Sequence, residues 1–333
     1  MSEEFAWGQG HGKAILVGEH FVLDGATALA TGLPGFVTRV GLRSVREDDR
    51  WTPIAARGSL RFLTKSEGFA SPPQHTLSAP GSEELQASLQ MVEMALERAG
   101  APLAADIVVS GNVPLGRGLG SSAAFAVASV RAAWRFASLT APAETVGREV
   151  AREMETIVHG QSSGLDPAAA WSDALVLFRD GVIQRGQPPA QGAIAQARWL
   201  IVDLGAAPAT RTAIARANEA RTRMGGAQLS VLVADVDCAA NRAFAALLGD
   251  DVDGLAEAMA TAAAALNHLD VVDERMRSVL ARCLDAGALA AKPTGAGLGG
   301  ALLALAPTAA IAETVRAGLG TTVRACHILE ISR

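Results

Sequence analysis

The sequence predicts an α+β fold made of two lobes, and three observations support this prediction. The chain has 333 residues, which is long enough for one large domain or for two lobes. In its first half, apolar strand-like runs stand next to amphipathic helices with recognisable caps. After residue 180, long alanine-rich helices fill much of the chain. We place the boundary so that the lobes span residues 1–185 and 186–333.

The strand-like segments are rich in apolar and β-branched residues. The first, residues 14–23, reads AILVGEHFVL and is interrupted by the stretch GEH; the segment 26–34 after it ends in turn residues. Further strand-like segments are residues 36–64, 105–114, 198–205, 287–307 (with a central glycine turn) and 326–332. Residues 71–82 predict a loop because they are rich in proline and serine.

Helices are predicted where apolar residues recur with helical periodicity between capping residues. In residues 82–100, Ser82 is a cap, acidic residues follow, and Gly100 ends the helix. Further predicted helices are residues 121–139, 142–160 and 309–318, and residues 209–286 predict several long alanine-rich helices with a turn at Gly225–Gly226. A short helix begins at DPAAAW, where Asp166 takes the capping position and Pro167 follows it.

Composition and charge exclude several classes of protein. The net charge is −5, so nothing favours a general affinity for nucleic acid. The acidic start MSEEFAWGQG lacks the apolar core of a secretory signal, and no run approaches the roughly 18 apolar residues that span a membrane. Cys238, Cys283 and Cys326 are far apart and form no disulfide or zinc pattern. We therefore expect a cytoplasmic protein with buried thiols that binds neither nucleic acid nor a membrane.

The segment PLGRGLGSSAA, residues 114–124, predicts a phosphate site. Gly116, Gly118 and Gly120 stand between a strand and a helix, where glycine permits positive φ and a close approach of the backbone to a ligand. The helix that follows offers free N–H groups and the positive end of its dipole, and Ser121 and Ser122 add hydroxyls there. A tight turn with a serine cap is the simpler alternative, but the combination of three glycines and two serines favours phosphate.

Two well-known phosphate motifs are excluded. No Walker sequence occurs, and Ser121 stands where a dinucleotide fingerprint needs its last glycine. The segment GAGLGG, residues 295–300, has the dinucleotide spacing, but it precedes a strand-like run rather than a helix.

Five ionisable residues in apolar or capping surroundings are further candidates. Glu19 and His20 interrupt an apolar run and therefore need partners, and Lys13 precedes that run. Glu155 and Asp166 lie on successive helices and could face one cleft as ligands for Mg²⁺ and substrate. Each residue also has a simpler interpretation: a surface cation, a satisfied polar turn, a solvated helix face or a helix cap.

These segments resemble the GHMP kinase superfamily, which includes galactokinases, homoserine kinases, mevalonate kinases and phosphomevalonate kinases. Its three motifs match, in order, GKAILVGEHFVLDG (residues 12–25), PLGRGLGSSAA (residues 114–124) and KPTGAGLGGALL (residues 292–303), hereafter the first, second and third motifs. The first motif and the segment ETIVHGQSSGLD, residues 155–166, are most similar to those of mevalonate kinases. The resemblance implies the two-lobed GHMP kinase fold, with an active site in the cleft between the lobes.

The resemblance also implies roles for individual residues in transfer of phosphate from ATP to mevalonate. Ser122 and Glu155 would bind Mg²⁺, Asp166 would take the proton of the substrate hydroxyl, and Lys13 would stabilise the developing alkoxide. The implied ATP-binding residues are Pro114, Gly116, Arg117, Gly118, Leu119, Gly120, Ser121 and Ser122. The implied substrate-binding residues are Glu19, His20 and Thr212, with Thr210 competing for the last position.

Several residues depart from the pattern of the similar proteins. Phe125 stands where animal mevalonate kinases have tyrosine, Ser162 and Pro167 replace a frequent proline and a frequent asparagine, and Leu298 replaces a glycine of the third motif. None of these departures removes a catalytic group. Another GHMP kinase, acting on phosphomevalonate or a sugar, and a non-catalytic ligand sensor are the alternative interpretations. The oligomeric state is not determined by the sequence, and a homodimer stays open.

Overall fold

A computed structural model describes residues 5–47, 51–65, 82–205 and 210–331 of the chain. Residues 71–81 of the predicted loop lie outside this part. The strands are β1 (Ala6–Val17), β2 (Ala28–Ser44), β3 (Trp51–Arg57), β4 (Leu60–Lys65), β5 (Ala105–Gly111), β6 (Leu175–Arg179), β7 (Val182–Gly186), β8 (Arg198–Asp203), β9 (Ala290–Pro293), β10 (Ala301–Ala306) and β11 (Ala325–Glu330). The helices are α1 (Glu83–Ala99), α2 (Ser121–Phe136), α3 (Glu144–His159), α4 (Leu165–Ala170), α5 (Ala193–Gln196), α6 (Thr210–Leu248), α7 (Val252–His268), α8 (Glu274–Asp285) and α9 (Ala309–Leu319).

The chain forms two compact units and crosses between them several times. The first unit contains Met1–Gly12, Leu33–Val113 and Gly120–Asp173. The second unit contains Lys13–Gly32, Pro114–Leu119 and Ala174–Arg333. Each unit is assembled from several separate segments, whereas the prediction divides the chain once, between residues 185 and 186. The two divisions are of different kinds, so the predicted lobe boundary stays a prediction.

The first unit packs α1, α2 and α3 together next to strands β3, β4 and β5 and the end of β2. β3 and β4 are antiparallel, β4 and β5 are parallel, and β5 pairs antiparallel with β2 from Thr38↔Gly111 to Ser44↔Ala105. The core includes Leu89, Val127 and Met154, which are fully buried. This layer supports the start of α2, where the second motif ends.

The predicted helix 82–100 is confirmed with its caps. The Ser82 side chain accepts a hydrogen bond from the N–H of Leu85, and Gly100 closes the helix in the left-handed conformation.

The second unit contains a four-stranded antiparallel sheet in the order β11-β8-β10-β9. In the same unit, the start of β2 pairs antiparallel with β6, and β6 pairs with β7. Helix α6 is broken at Gly225, which has a φ of 77° and a ψ of 166°, as the predicted turn there required. The third motif forms the end of β9, a glycine turn and the start of β10.

Three local predictions are wrong. Residues 28–34, expected to lead into a turn, continue into the long strand β2. The cap of α4 is Gly164, not Asp166, because this glycine adopts a φ of 92° and the Ser163 hydroxyl accepts the N–H of Leu165. Cys238 is exposed and Cys326 is half-buried, so only Cys283 is a buried thiol.

No helix in the described part of the chain is long and apolar enough to cross a membrane.

Candidate active site

The three glycines of the second motif all have positive φ, but for different structural reasons. Gly116, Gly118 and Gly120 have φ values of 65°, 77° and 73°. A Cβ on Gly118 would lie 2.6 Å from the backbone oxygen of Thr294, so the third motif excludes a side chain there. A Cβ on Gly116 would meet no described atom within 4 Å, so packing does not require this glycine. The absence of a side chain therefore serves protein packing at Gly118 and leaves open space at Gly116.

Backbone and side-chain contacts hold residues 114–119 of the second motif within the second unit. The N–H of Lys13 donates to the backbone oxygen of Leu119 at 2.9 Å, which joins the first motif to the second. Arg117 pairs with Asp203, with 3.2 Å between Nε and Oδ1. The same carboxylate oxygen accepts the N–H of Gly205 at 2.8 Å. The cation of Arg117, a predicted ATP-binding residue, is thus held by a carboxylate of the protein.

The start of α2 offers an anion site and an unpartnered hydroxyl. Gly120 caps the helix without a side-chain hydrogen bond, so the first-turn N–H groups receive no cap from a side chain. Among the residues that the structure describes, the Ser122 Oγ is buried and has no hydrogen-bond partner. A buried hydroxyl without a partner is costly, and an oxygen ligand of this kind suits Mg²⁺. The predicted role of Ser122 fits this geometry.

Glu155 is buried, which contradicts the simpler interpretation of a solvated helix face. Its side chain lies in α3 with a relative exposure of 3%. The Ser162 hydroxyl donates to the Glu155 Oε2 at 3.2 Å and accepts the N–H of Gly164 at 3.3 Å. The departure at Ser162 therefore supplies a hydrogen bond that proline could not make, and it orients a carboxylate suited to a cation. Asp166 is half-buried in the first turn of α4.

A cluster of two lysines and one glutamate lies in the second unit. Lys13 and Glu19 are both 2% exposed, so Lys13 is not a surface cation. Lys292, which opens the third motif, is fully buried and donates to the Glu19 Oε1. Burial raises the pKa of Glu19 and the two lysines oppose this effect, while burial lowers the pKa of Lys292.

Sequence reasoning missed Lys292 as a site residue. The available signal was a lysine inside the apolar stretch GALAAKPTG, since a charge in such a stretch needs a partner.

His20 has a strained backbone conformation and is held by contacts with two distant residues of the second unit. Its φ of 62° is unusual for a residue other than glycine. The Nε2 atom lies 2.9 Å from the backbone oxygen of Ala296 in the third motif, and the Arg221 guanidinium donates to the His20 oxygen at 3.0 Å. Burial lowers the pKa of His20. Backbone strain of this kind persists where surrounding contacts fix the residue, and it is concentrated at active sites and ligand-binding sites.

The choice between the two threonines of α6 stays a prediction. Thr210 begins the helix, and Thr212 is exposed in its first turn. Residues 206–209 before them lie outside the described part.

A cavity of about 480 Å³ in the second unit carries none of the predicted site residues. Its carboxylates are already satisfied, because Asp237 accepts from Thr27 and Asp24 accepts from Arg221. The cavity therefore shows no polar group that needs a ligand.

Known proteins resemble this chain along its whole length. Residues 87–173 match the family model for the GHMP kinases N terminal domain, and residues 243–325 match the model for the GHMP kinases C terminal. A mevalonate kinase from Aeropyrum pernix is 28% identical over 297 residues, covering 88% of this chain and 86% of the relative. A mevalonate kinase from Pyrococcus horikoshii is 27% identical over 304 residues, covering 89% and 87%.

The fold is that of solved enzymes in this family. The crystal structure of L. major mevalonate kinase in complex with R-mevalonate has a TM-score of 0.76 and 23% identity, covering 98% of this chain and 95% of that one. The likeness confirms the predicted mixed α+β class and two-domain architecture. Since the two family models together match just over half of the residues, in the predicted order, the chain belongs to the GHMP kinases.

Proposed function

We propose that this chain catalyses the ATP-dependent phosphorylation of (R)-mevalonate to 5-phosphomevalonate, the activity of a mevalonate kinase. The observation that carries the proposal is the match of nearly nine-tenths of the chain to curated enzymes of that name. The buried Lys13, Glu19 and Glu155 support it, because a chain that had lost the activity would have no need to bury these charges.

The second motif is assigned to the phosphates of ATP. The first-turn N–H groups of α2, which Gly120 leaves without a side-chain cap, and the open backbone at Gly116 suit closely spaced phosphate oxygens. Ser122 and Glu155 would hold Mg²⁺, which when bound neutralises charge on the β- and γ-phosphates. Arg117 approaches phosphate in this proposal only with its backbone, since its side chain pairs with Asp203.

The transfer step is assigned to Asp166 and Lys13. Asp166 accepts the proton of the primary hydroxyl, and the Lys13 ammonium stabilises the oxyanion that attacks the γ-phosphorus. Glu19, His20 and Thr212 are assigned to the mevalonate side. A cytoplasmic location and a homodimer remain expectations.

The test is a steady-state measurement of ADP release by the purified protein with Mg·ATP. The substrates are mevalonate, 5-phosphomevalonate, galactose and homoserine at equal concentrations. We expect kcat/KM for mevalonate to exceed the others by at least about a hundredfold, since the others leave polar groups of the site unpaired. Preferred turnover of another substrate would reject the assigned specificity. ATP binding without any turnover would favour a ligand sensor.

A further inference from the structure

All three N–H donors of the Lys292 ammonium group are used by partners within the protein. Its Nζ donates to the backbone oxygen of Ile15 at 3.2 Å, to that of Pro293 at 2.7 Å and to the Glu19 Oε1. An ammonium group has three N–H donors, so these partners use all of them. Because these partners use every donor, any effect that Lys292 has on a substrate must pass through one of them.

Glu19 is the partner through which such an effect can pass. One of its oxygens, Oε1, accepts from Lys292, whereas no residue in the described part of the chain is a hydrogen-bond partner of Oε2. The Glu19 side chain is 1% exposed, so Oε2 is not solvated at the surface. A buried carboxylate oxygen without a donor is costly, and the group that would satisfy it is an O–H or N–H donor.

The charges around Glu19 decide whether Oε2 can accept a hydrogen bond. Lys292 faces it from β9 and Lys13 bears on it from β1, while His20 is its neighbour in the chain. Burial raises the pKa of Glu19, and the lysines counteract this rise. Removal of Lys292 would therefore let Glu19 bind a proton at a higher pH, and a protonated oxygen is a poorer acceptor.

We propose that Lys292 is a positioning residue of the kinase site: it holds Glu19 so that Oε2 accepts a hydrogen bond from a hydroxyl group of the alcohol substrate. This inference rests on the proposed function and adds to it a residue that contacts neither substrate nor nucleotide. It predicts that the effect of Lys292 on substrate binding depends entirely on the Glu19 carboxylate.

A double-mutant cycle with Glu19→Gln, Lys292→Met and the combined variant tests this dependence. KM for mevalonate and for Mg·ATP is measured for each protein between pH 6 and 9. We expect Glu19→Gln to raise KM for mevalonate about tenfold or more and to leave KM for Mg·ATP within about twofold. Lys292→Met should raise KM for mevalonate most at low pH, and the value should approach that of the wild type as the pH rises.

The combined variant separates positioning from a merely structural role. In the Glu19→Gln background, Lys292→Met should change KM for mevalonate by less than about twofold, because the carboxylate it supports is gone. If the two substitutions instead raised KM for mevalonate by independent factors that multiply in the combined variant, the proposal would be overturned. Lys292 would then act through the backbone of β1. A pH-independent KM in Lys292→Met, or an unchanged KM in Glu19→Gln, would also overturn it.

Folding of the variants does not prevent a decision. Lys292→Met removes one of the two lysines that offset the buried Glu19 carboxylate, whereas the combined variant replaces the ion pair by two neutral side chains. If only Lys292→Met fails to fold, equal mevalonate KM values for Glu19→Gln and the combined variant support the proposal, and unequal values overturn it. Failure of the proposed function is seen separately, because the wild-type protein would then show no turnover of mevalonate.

Discussion

Gly118→Ala should destabilise the protein more than Gly116→Ala, although both glycines have similar backbone conformations. Their φ values are 77° and 65°, so each substitution places an alanine in the left-handed region. Only at position 118 does the new Cβ meet another part of the protein, at 2.6 Å from the Thr294 oxygen. The pair therefore separates backbone strain from steric conflict.

The size of the difference follows from how firmly Thr294 is held. Its N–H donates to the Ala301 oxygen at 3.1 Å, and its hydroxyl accepts the N–H of Ile15 at 3.0 Å, so the backbone there cannot yield cheaply. A left-handed alanine costs about 1–2 kcal/mol. Overpacking adds about 1–3 kcal/mol, so Gly118→Ala should cost about 2–5 kcal/mol in total.

Urea unfolding followed by far-UV circular dichroism measures both effects. We expect the free energy of unfolding of Gly118→Ala to be lower than that of Gly116→Ala by about 1–3 kcal/mol. Gly295→Ala should lower the free energy of unfolding for the same steric reason, because its Cβ would lie 2.6 Å from the Gly118 Cα. Equal stabilities of the Gly116 and Gly118 variants would refute the argument that the third motif excludes a side chain at position 118.

Three further predictions concern the assigned roles. Asp166→Asn should lower kcat by about a hundredfold or more while calorimetry shows ATP affinity within about twofold of the wild type; near-normal kcat would remove Asp166 as the base. Ser162→Ala should raise the Mg²⁺ concentration for half-maximal rate about threefold to tenfold, because Glu155 loses a donor, whereas Ser163→Ala should not; equal effects of the two would contradict this. Burial lowers the pKa of His20, so below about pH 6.5 the unfolded chain binds more protons than the native protein. The free energy of unfolding should therefore fall from pH 7 to pH 5 more steeply in the wild type than in His20→Asn. Parallel curves of this free energy against pH for the two proteins would contradict a lowered pKa of His20.

The helices with clear end signals could be predicted closely from the sequence. The helix 82–100 was defined by Ser82 and Gly100, and the break in α6 by Gly225. Both signals are local, because a cap or a left-handed glycine acts on its own backbone. Asp166 shows the limit of such reasoning, since Gly164 and Ser163 already satisfy the start of α4.

The sequence indicated several residues of the site, but it did not indicate which residues contact each other there. The sequence indicated Lys13, Glu19 and Glu155 because charges in apolar or motif surroundings need compensation. It did not indicate that Lys292 lies against Glu19, which is 273 positions earlier in the chain, since that pairing depends on how β1 and β9 meet. Likewise, the need for Gly118 arises from Thr294, which is distant in sequence.

The most direct test of the central claim is the identity of the reaction product. Phosphorus NMR of wild-type protein with Mg·ATP and (R)-mevalonate should show ADP and, in equal amount, one new phosphomonoester coupled to the two hydrogens of a CH₂ group. That pattern identifies phosphate on the primary hydroxyl, as the proposed kinase reaction requires. ADP with free inorganic phosphate and no new ester, or no consumption of ATP, would contradict the assignment of this chain as a kinase that phosphorylates mevalonate.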